Sequence, residues 1–92
     1  MERKRLHIFY SGGVQGVGFR FTVKSVAQGF EVTGIIRNLP DGRVELAVEG
    51  SRDELTGFQQ AIKDSEVGPF IKQEELRWEE PKNEFRGFEI VR

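Results

Sequence analysis

The 92-residue sequence contains no cysteine and a single histidine, His7. Without cysteine the chain forms neither a disulfide nor a thiolate metal site, and it has no thiol nucleophile. One histidine does not make a metal cluster by itself, and a lone strand histidine is most often a surface or packing residue. We therefore expect a function that uses no metal and no cofactor.

Charge of one sign and long apolar runs are lacking as well. Lys and Arg number 14 against 15 Asp and Glu, and this balance argues against non-specific binding to nucleic acid or to membranes. The amino terminus reads Met-Glu-Arg-Lys-Arg and continues with alternating apolar residues, unlike a secretion signal. We expect one domain over residues 1–92, monomeric and located in the cytoplasm.

Glycine, by contrast, is concentrated between Gly12 and Arg20, where the chain reads Gly-Gly-Val-Gln-Gly-Val-Gly-Phe-Arg. Four glycines in seven residues cost backbone entropy, which indicates positive φ angles or a close approach to a ligand. A concave run of N–H groups leading into a helix binds anions, and the Arg20 guanidinium suits two phosphate oxygens. The segment predicts a phosphate cradle, although a tight connection alone also fits. Its spacing matches neither a P-loop nor the dinucleotide fingerprint.

Hydrophobic periodicity predicts the first two elements. Alternating residues predict a strand over 4–11, with Leu6 and Ile8 on the face opposite His7. The basic run 3–5 is expected to be a solvated strand start. An apolar stripe beginning at Phe19 predicts a helix that ends at Gly29.

The second half of the chain predicts a hairpin, a helix and two more strands. Strands over 33–38 and 43–50 flank a Pro-Asp-Gly turn. Ser51 and Glu54 are spaced as a capping box before a helix that ends near Lys63 or Asp64. Strands over 71–79 and 85–91 follow, the former with poor alternation.

The order strand, helix, strand, strand, helix, strand, with a further terminal strand possible, predicts an α+β fold. We expect a ferredoxin-like two-layer α/β sandwich, in which two helices cover one face of an antiparallel four- or five-stranded sheet. This fold hosts unrelated functions, so function has to be argued from the site.

Two motifs resemble the signatures of the acylphosphatase family. One is the glycine segment ending at Arg20, and the other runs from Gly34 through Asn38 and Leu-Pro-Asp-Gly to Gly50. They occur in the family's order and separation, and the resemblance covers nearly the whole chain. It implies metal-free hydrolysis of acyl phosphates to a carboxylate and inorganic phosphate. Ile35 stands where many members have an aromatic residue, which bears on local packing or substrate preference.

The resemblance also implies the site residues. Asn38 matches the asparagine that orients the attacking water, and Arg37, on the other strand face, is expected to be a solvated charge. The resemblance implies that inorganic phosphate is a product of the reaction and an inhibitor of the enzyme. The sequence does not decide whether the side chain of Gln15 contacts the ligand or faces water. The implied phosphate-binding residues are Val14, Gln15, Gly16, Val17, Gly18, Phe19 and Arg20, with Arg20 and Asn38 as the catalytic pair.

Two other functions remain open from the sequence. A phosphate or acyl phosphate binding domain without turnover, like the acylphosphatase-like domains of larger carbamoyl-transfer proteins, would need the same loop. An RNA-binding module is the other, because ferredoxin-like domains bind RNA through aromatic residues on the open sheet face. Arg86-Gly-Phe88 resembles the start of an RNA-recognition motif, but no alternating aromatic residues follow it.

Overall fold

The computed structural model describes residues 2–92. It confirms the predicted order of elements and adds the further terminal strand. A short 3-10 turn over Gly68–Phe70 follows the second helix. The elements are β1 (Arg3–Gly12), α1 (Phe19–Ala27), β2 (Val32–Asn38), β3 (Val44–Ser51), α2 (Arg52–Asp64), β4 (Ile71–Glu79) and β5 (Phe88–Ile90).

The five strands form one sheet in the order β4-β1-β3-β2-β5. The pairs β1–β3, β1–β4 and β2–β3 are antiparallel, as predicted, but β5 pairs with β2 in parallel. The expectation of a wholly antiparallel sheet therefore needs correction at this edge. Residues 80–87 cross the sheet at one end, so β5 runs opposite to β4 and in the same direction as β2.

Both helices pack on one face of this sheet, and the apolar stripes predicted for them are buried. The α1 helix ends at Ala27, two residues before the predicted Gly29, and its last turn tightens through a bond from Gly29 N to Val26 O of 3.0 Å. The α2 helix ends at Asp64, as predicted. The buried helix residues are Phe19, Val23, Ala27, Leu55, Phe58 and Ile62.

The capping box is only half formed. Ser51 Oγ accepts a hydrogen bond from Glu54 N at 3.2 Å, which is the predicted N-cap contact. The Glu54 carboxylate, however, accepts from the backbone N–H of Glu31 at 2.7 Å instead of closing back on Ser51. The start of α2 is thereby tied to the segment that leads into β2.

A fully buried carboxylate, Glu49, lies on the sheet face opposite the helices. Arg5 Nη1 donates to it at 2.9 Å, and the backbone N–H groups of Lys82 and Asn83 donate at 2.8 and 3.0 Å. The prediction of a solvated basic run is therefore wrong for Arg5, which is only 7% exposed and also contacts Glu79. Glu49 anchors the segment that crosses the open face.

The remainder of the open face carries further ion pairs. Arg37, predicted to be a solvated charge, pairs with Glu45, whose carboxylate also lies 2.7 Å from His7 Nε2. The other ring nitrogen of His7 lies 3.3 Å from Glu79. Ile35 is half-buried on the same face of β2 as Arg37. Because side chains alternate along a strand, Ile35 and Arg37 face away from Asn38.

We expect Glu49→Gln to lower the free energy of unfolding at neutral pH by about 3 kcal/mol, because Arg5 loses its buried counter-charge. Burial alone would raise the pKa of Glu49, but the bonds from Lys82, Arg5 and Asn83 outweigh it and hold that pKa below 4.5. The stabilisation by the charged Glu49 is thus present above the pKa that Glu49 has in the unfolded chain. It is lost as pH falls through the pKa that Glu49 has in the folded protein. Urea titrations from neutral pH down to about pH 2 should show the difference between the two proteins narrowing.

Glu84→Gln is the matched control, because Glu84 is an exposed carboxylate of the same connection. Its effect on the free energy of unfolding should stay within about 0.5 kcal/mol. A difference between native protein and Glu49→Gln that is constant with pH would contradict the assigned role of the charge.

Candidate active site

Residues 13–18 connect β1 to α1 and form the glycine loop. Gly16 and Gly18 have φ angles of 80° and 77°, and Gly18 is the N-cap of α1 in the left-handed conformation. A Cβ built on either glycine would meet no atom within 4 Å. The backbone conformation, and not crowding, therefore requires glycine at these two positions.

Two buried side chains hold the ends of this loop. Val14 and Phe19 are 1% and 2% exposed, and the ring centroid of Phe19 lies 5.2 Å from that of Tyr10. Gly13 N also donates to Phe70 O at 3.1 Å. Because their side chains point into the core, Val14 and Phe19 present only backbone groups to a ligand. Between them the loop is exposed from Gly16 to Gly18.

The loop presents backbone donors to the outside. Within residues 2–92, the N–H groups of Gly16, Val17, Gly18 and Phe19 have no hydrogen-bond partner, and the first helical bond runs from Thr22 N to Gly18 O at 3.0 Å. The first turn of α1 contains no acidic residue that would neutralise this end of the helix. Free N–H groups at a positive helix end are suited to an anion.

Arg20 lies in that first turn and is half-buried. An arginine at a partly exposed helix position often pairs with a carboxylate. Among the described residues, however, no carboxylate forms an ion pair with it. Its planar donor group is therefore not occupied by a carboxylate, and Arg20 directly follows Phe19, the last residue with a free loop N–H group.

Asn38 is the last residue of β2 and pairs with Val44 of β3. Asparagine next to a Pro-Asp-Gly turn often helps to build the turn through its side chain. The turn is closed instead by the bonds Leu39 N to Arg43 O at 2.8 Å and Gly42 N to Leu39 O at 3.1 Å. The Asn38 carbonyl oxygen Oδ1 is buried and has no partner within residues 2–92. A buried acceptor of this kind calls for a donor.

The side chain of Gln15 joins these two parts of the structure. Its Nε2 donates to Leu39 O and to Arg43 O, each at 2.9 Å. The sequence left the contact of this side chain undecided between ligand and water, and the structure shows its Nε2 bonded to the β2–β3 turn. The loop is thereby held against the end of β2, directly beside Asn38.

Residues 2–92 contain neither a metal-binding cluster nor a membrane-spanning helix. No group of three or more histidine, aspartate or glutamate side chains in this part of the chain is arranged to hold a metal ion. None of its helices is both long and apolar enough to span a membrane.

Comparison with known proteins identifies the family. The acylphosphatase family model matches residues 6–90. An acylphosphatase from Roseiflexus sp. (strain RS-1) is 40% identical over 94 residues, covering 99% of this chain and 98% of that protein. The crystal structure of acylphosphatase from Bacillus subtilis superposes with a TM-score of 0.86 at 32% identity, covering 97% and 99% of the two chains.

A longer protein contains a similar unit. The crystal structure of T.kodakarensis HypF matches with a TM-score of 0.82 at 30% identity, over 97% of this chain and 12% of that one. The family model spans both the glycine loop and the β2–β3 turn. These matches show that the chain belongs to the acylphosphatase family.

Proposed function

We propose that this acylphosphatase binds the phosphate of an acyl phosphate on the loop N–H groups and Arg20, and that Asn38 orients the attacking water. The products are a carboxylate and inorganic phosphate. The observation that carries this proposal is the set of free N–H groups at Gly16, Val17, Gly18 and Phe19 beside an arginine with no carboxylate partner among the described residues. Donors fixed in advance around developing negative charge are typically the largest contribution to such catalysis.

The leaving group explains why so few side chains are needed. Water attacks phosphorus, the bond from phosphorus to the carboxyl oxygen breaks, and the carboxylate leaves without requiring a proton. Phosphoryl transfer of this kind depends mainly on positioning and on charge stabilisation. Asn38 holds the water because its Oδ1 accepts a hydrogen bond from one O–H group of that water. Because asparagine is not a base, a phosphate oxygen of the substrate takes the proton.

A phosphate-binding domain without turnover is the second candidate, and the match to a small part of HypF supports considering it. Binding alone has no use for a buried acceptor beside the loop, so Asn38 Oδ1 favours hydrolysis. The monomeric state, the cytoplasmic location and the absence of a nucleic-acid partner stay predictions from the sequence, as does a single domain over residues 1–92. Inhibition by inorganic phosphate follows from the proposed cradle.

We expect purified protein to hydrolyse acetyl phosphate at an unchanged rate after exhaustive treatment with a chelator, because no proposed step uses a metal. The measurement is release of inorganic phosphate with and without chelator. Loss of activity on chelation, restored by a divalent cation, would contradict this mechanism. Binding of phosphate without any turnover would instead support the second candidate.

Arg20→Ala should lower kcat/KM by about 10²- to 10³-fold, as expected for removing one donor to the transition state. It should also weaken inhibition by inorganic phosphate, because the guanidinium holds the ground-state anion as well. Arg52→Ala is the matched control, since Arg52 occupies the first turn of the other helix and stacks on Trp78. Inhibition by phosphate that is unchanged in Arg20→Ala would contradict the assignment.

Asn38→Ala should lower kcat while leaving the inhibition constant of inorganic phosphate nearly unchanged, because it removes the acceptor for the water and not a ligand of the phosphate. Steady-state hydrolysis and phosphate inhibition, measured on the same preparations, separate the two effects. Asn83→Gly serves as the control, because Asn83 is exposed, lies at the other end of the sheet, already has a φ of 54° and keeps its backbone bond to Glu49 after the change. Full activity of Asn38→Ala would exclude the role proposed for it.

A further inference from the structure

The Gln15 side chain uses both of its donor hydrogens on the turn that follows Asn38. Leu39 O and Arg43 O each accept one bond from Nε2 at 2.9 Å. Each of these carbonyls also accepts a backbone bond within the turn, from Gly42 N and from Leu39 N. A carbonyl oxygen has two lone pairs, so both bonds can coexist. No Nε2 hydrogen remains for a phosphate oxygen, so the Gln15 amide group does not act as a phosphate donor.

The two segments joined by Gln15 are otherwise held by different parts of the protein. The loop is fixed by the buried side chains of Val14 and Phe19 and by the bond from Gly13 to Phe70. The turn is closed by its own backbone bonds and is exposed from Pro40 to Gly42. Among the described residues, the two Gln15 bonds are the only hydrogen bonds between residues 13–18 and residues 38–43.

One contact point of Gln15 lies next to Asn38, and the other lies next to the hairpin partner of Asn38. Leu39 follows Asn38 directly, and Arg43 precedes Val44, the residue opposite Asn38 in the hairpin. A shift of the turn relative to the loop would therefore move the Asn38 amide relative to the phosphate. A displacement of about 1 Å in such a geometry can cost 10²-fold in rate.

We propose that Gln15 is a positioning residue, which sets the place of Asn38 and its water relative to the phosphate loop through the two turn carbonyls. This inference rests on the proposed roles of the loop and of Asn38. It assigns Gln15 an effect on the chemical step and none on phosphate binding, because the loop keeps its own attachments to the core. Gln15 thus acts through Asn38 and does not touch the reacting atoms.

The test replaces Gln15 by methionine, which has a similar length and shape but no donor. We expect kcat for acetyl phosphate to fall at least about tenfold, while the inhibition constant of inorganic phosphate stays within about twofold. Gln60→Met is the matched control, because Gln60 is an exposed glutamine that bonds only to Asp64 in its own helix. Assays at temperatures well below the unfolding midpoint remove any effect of lowered stability.

A double-mutant cycle with Asn38→Ala separates a positioning role from an independent one. If Gln15 acts through Asn38, Gln15→Met should cause no further loss of kcat in the Asn38→Ala protein. An unchanged kcat in Gln15→Met would overturn the proposal. Losses that multiply across the two sites, or a phosphate inhibition constant that rises in parallel, would also overturn it.

The cycle distinguishes failure of this inference from failure of the proposed function. Full activity of Asn38→Ala alone would remove the role of Asn38 and this inference with it, whereas independent losses at both sites would remove only the inference. If Gln15→Met does not fold, Gln15→Asn replaces it, because the shorter amide keeps its donors but cannot reach both carbonyls. The same loss of kcat, absent in the Asn38→Ala background, is then expected.

Discussion

Backbone N–H groups at the start of α1 have to remain without a partner within residues 2–92, and the rest of the site depends on this constraint. Folded chains pair nearly all such groups, so a loop that leaves several free must be held by other contacts. Here Val14 and Phe19 are packed in the core on either side, while Gly16 and Gly18 adopt positive φ angles between them. The core thus stabilises a backbone shape that the loop would not keep by itself.

The position of Asn38 depends on contacts at the opposite end of the sheet. Buried Glu49 fixes Lys82 and Asn83, and the chain then returns as β5 beside β2. With β5 in place, β2 is an interior strand. Gly34 N of β2 donates to the carbonyl oxygen of Gly87, the residue before β5, at 2.9 Å. The strand that ends in Asn38 is therefore supported on both edges.

Local patterns were sufficient for most of the fold. Alternation and helical stripes predict the core faces because burial depends on residues two or three to four positions apart. The charged positions were harder to predict. Glu49 lies on the polar face of its strand, and no neighbouring residue indicates that the segment at residues 82–83, about 33 positions away, covers it. The parallel pairing of β5 has the same origin, because it follows from the path of that segment.

The site shows the same division between local and distant information. The glycine spacing and the two motifs predicted Arg20, Asn38 and the loop, and within the described residues these positions carry unpaired donors and a buried acceptor. The contacts of Gln15 join residues 24 and 28 positions apart. No local pattern indicates such a contact, because both carbonyls already accept a backbone bond within the turn.

None of the groups proposed to act in catalysis is a carboxylate or an imidazole. The proposed site consists of backbone N–H groups, two neutral amide side chains and Arg20, a residue type that keeps its charge at all ordinary pH values. One cluster of ionisable groups lies on the other face of the sheet, where Glu45 lies between Arg37 and His7. Burial opposes ionisation of Glu45, but these two partners hold its pKa below its ordinary value. Acid should therefore act on this protein through the stability of the fold and through the charge of the substrate, and not through the groups that hold the phosphate.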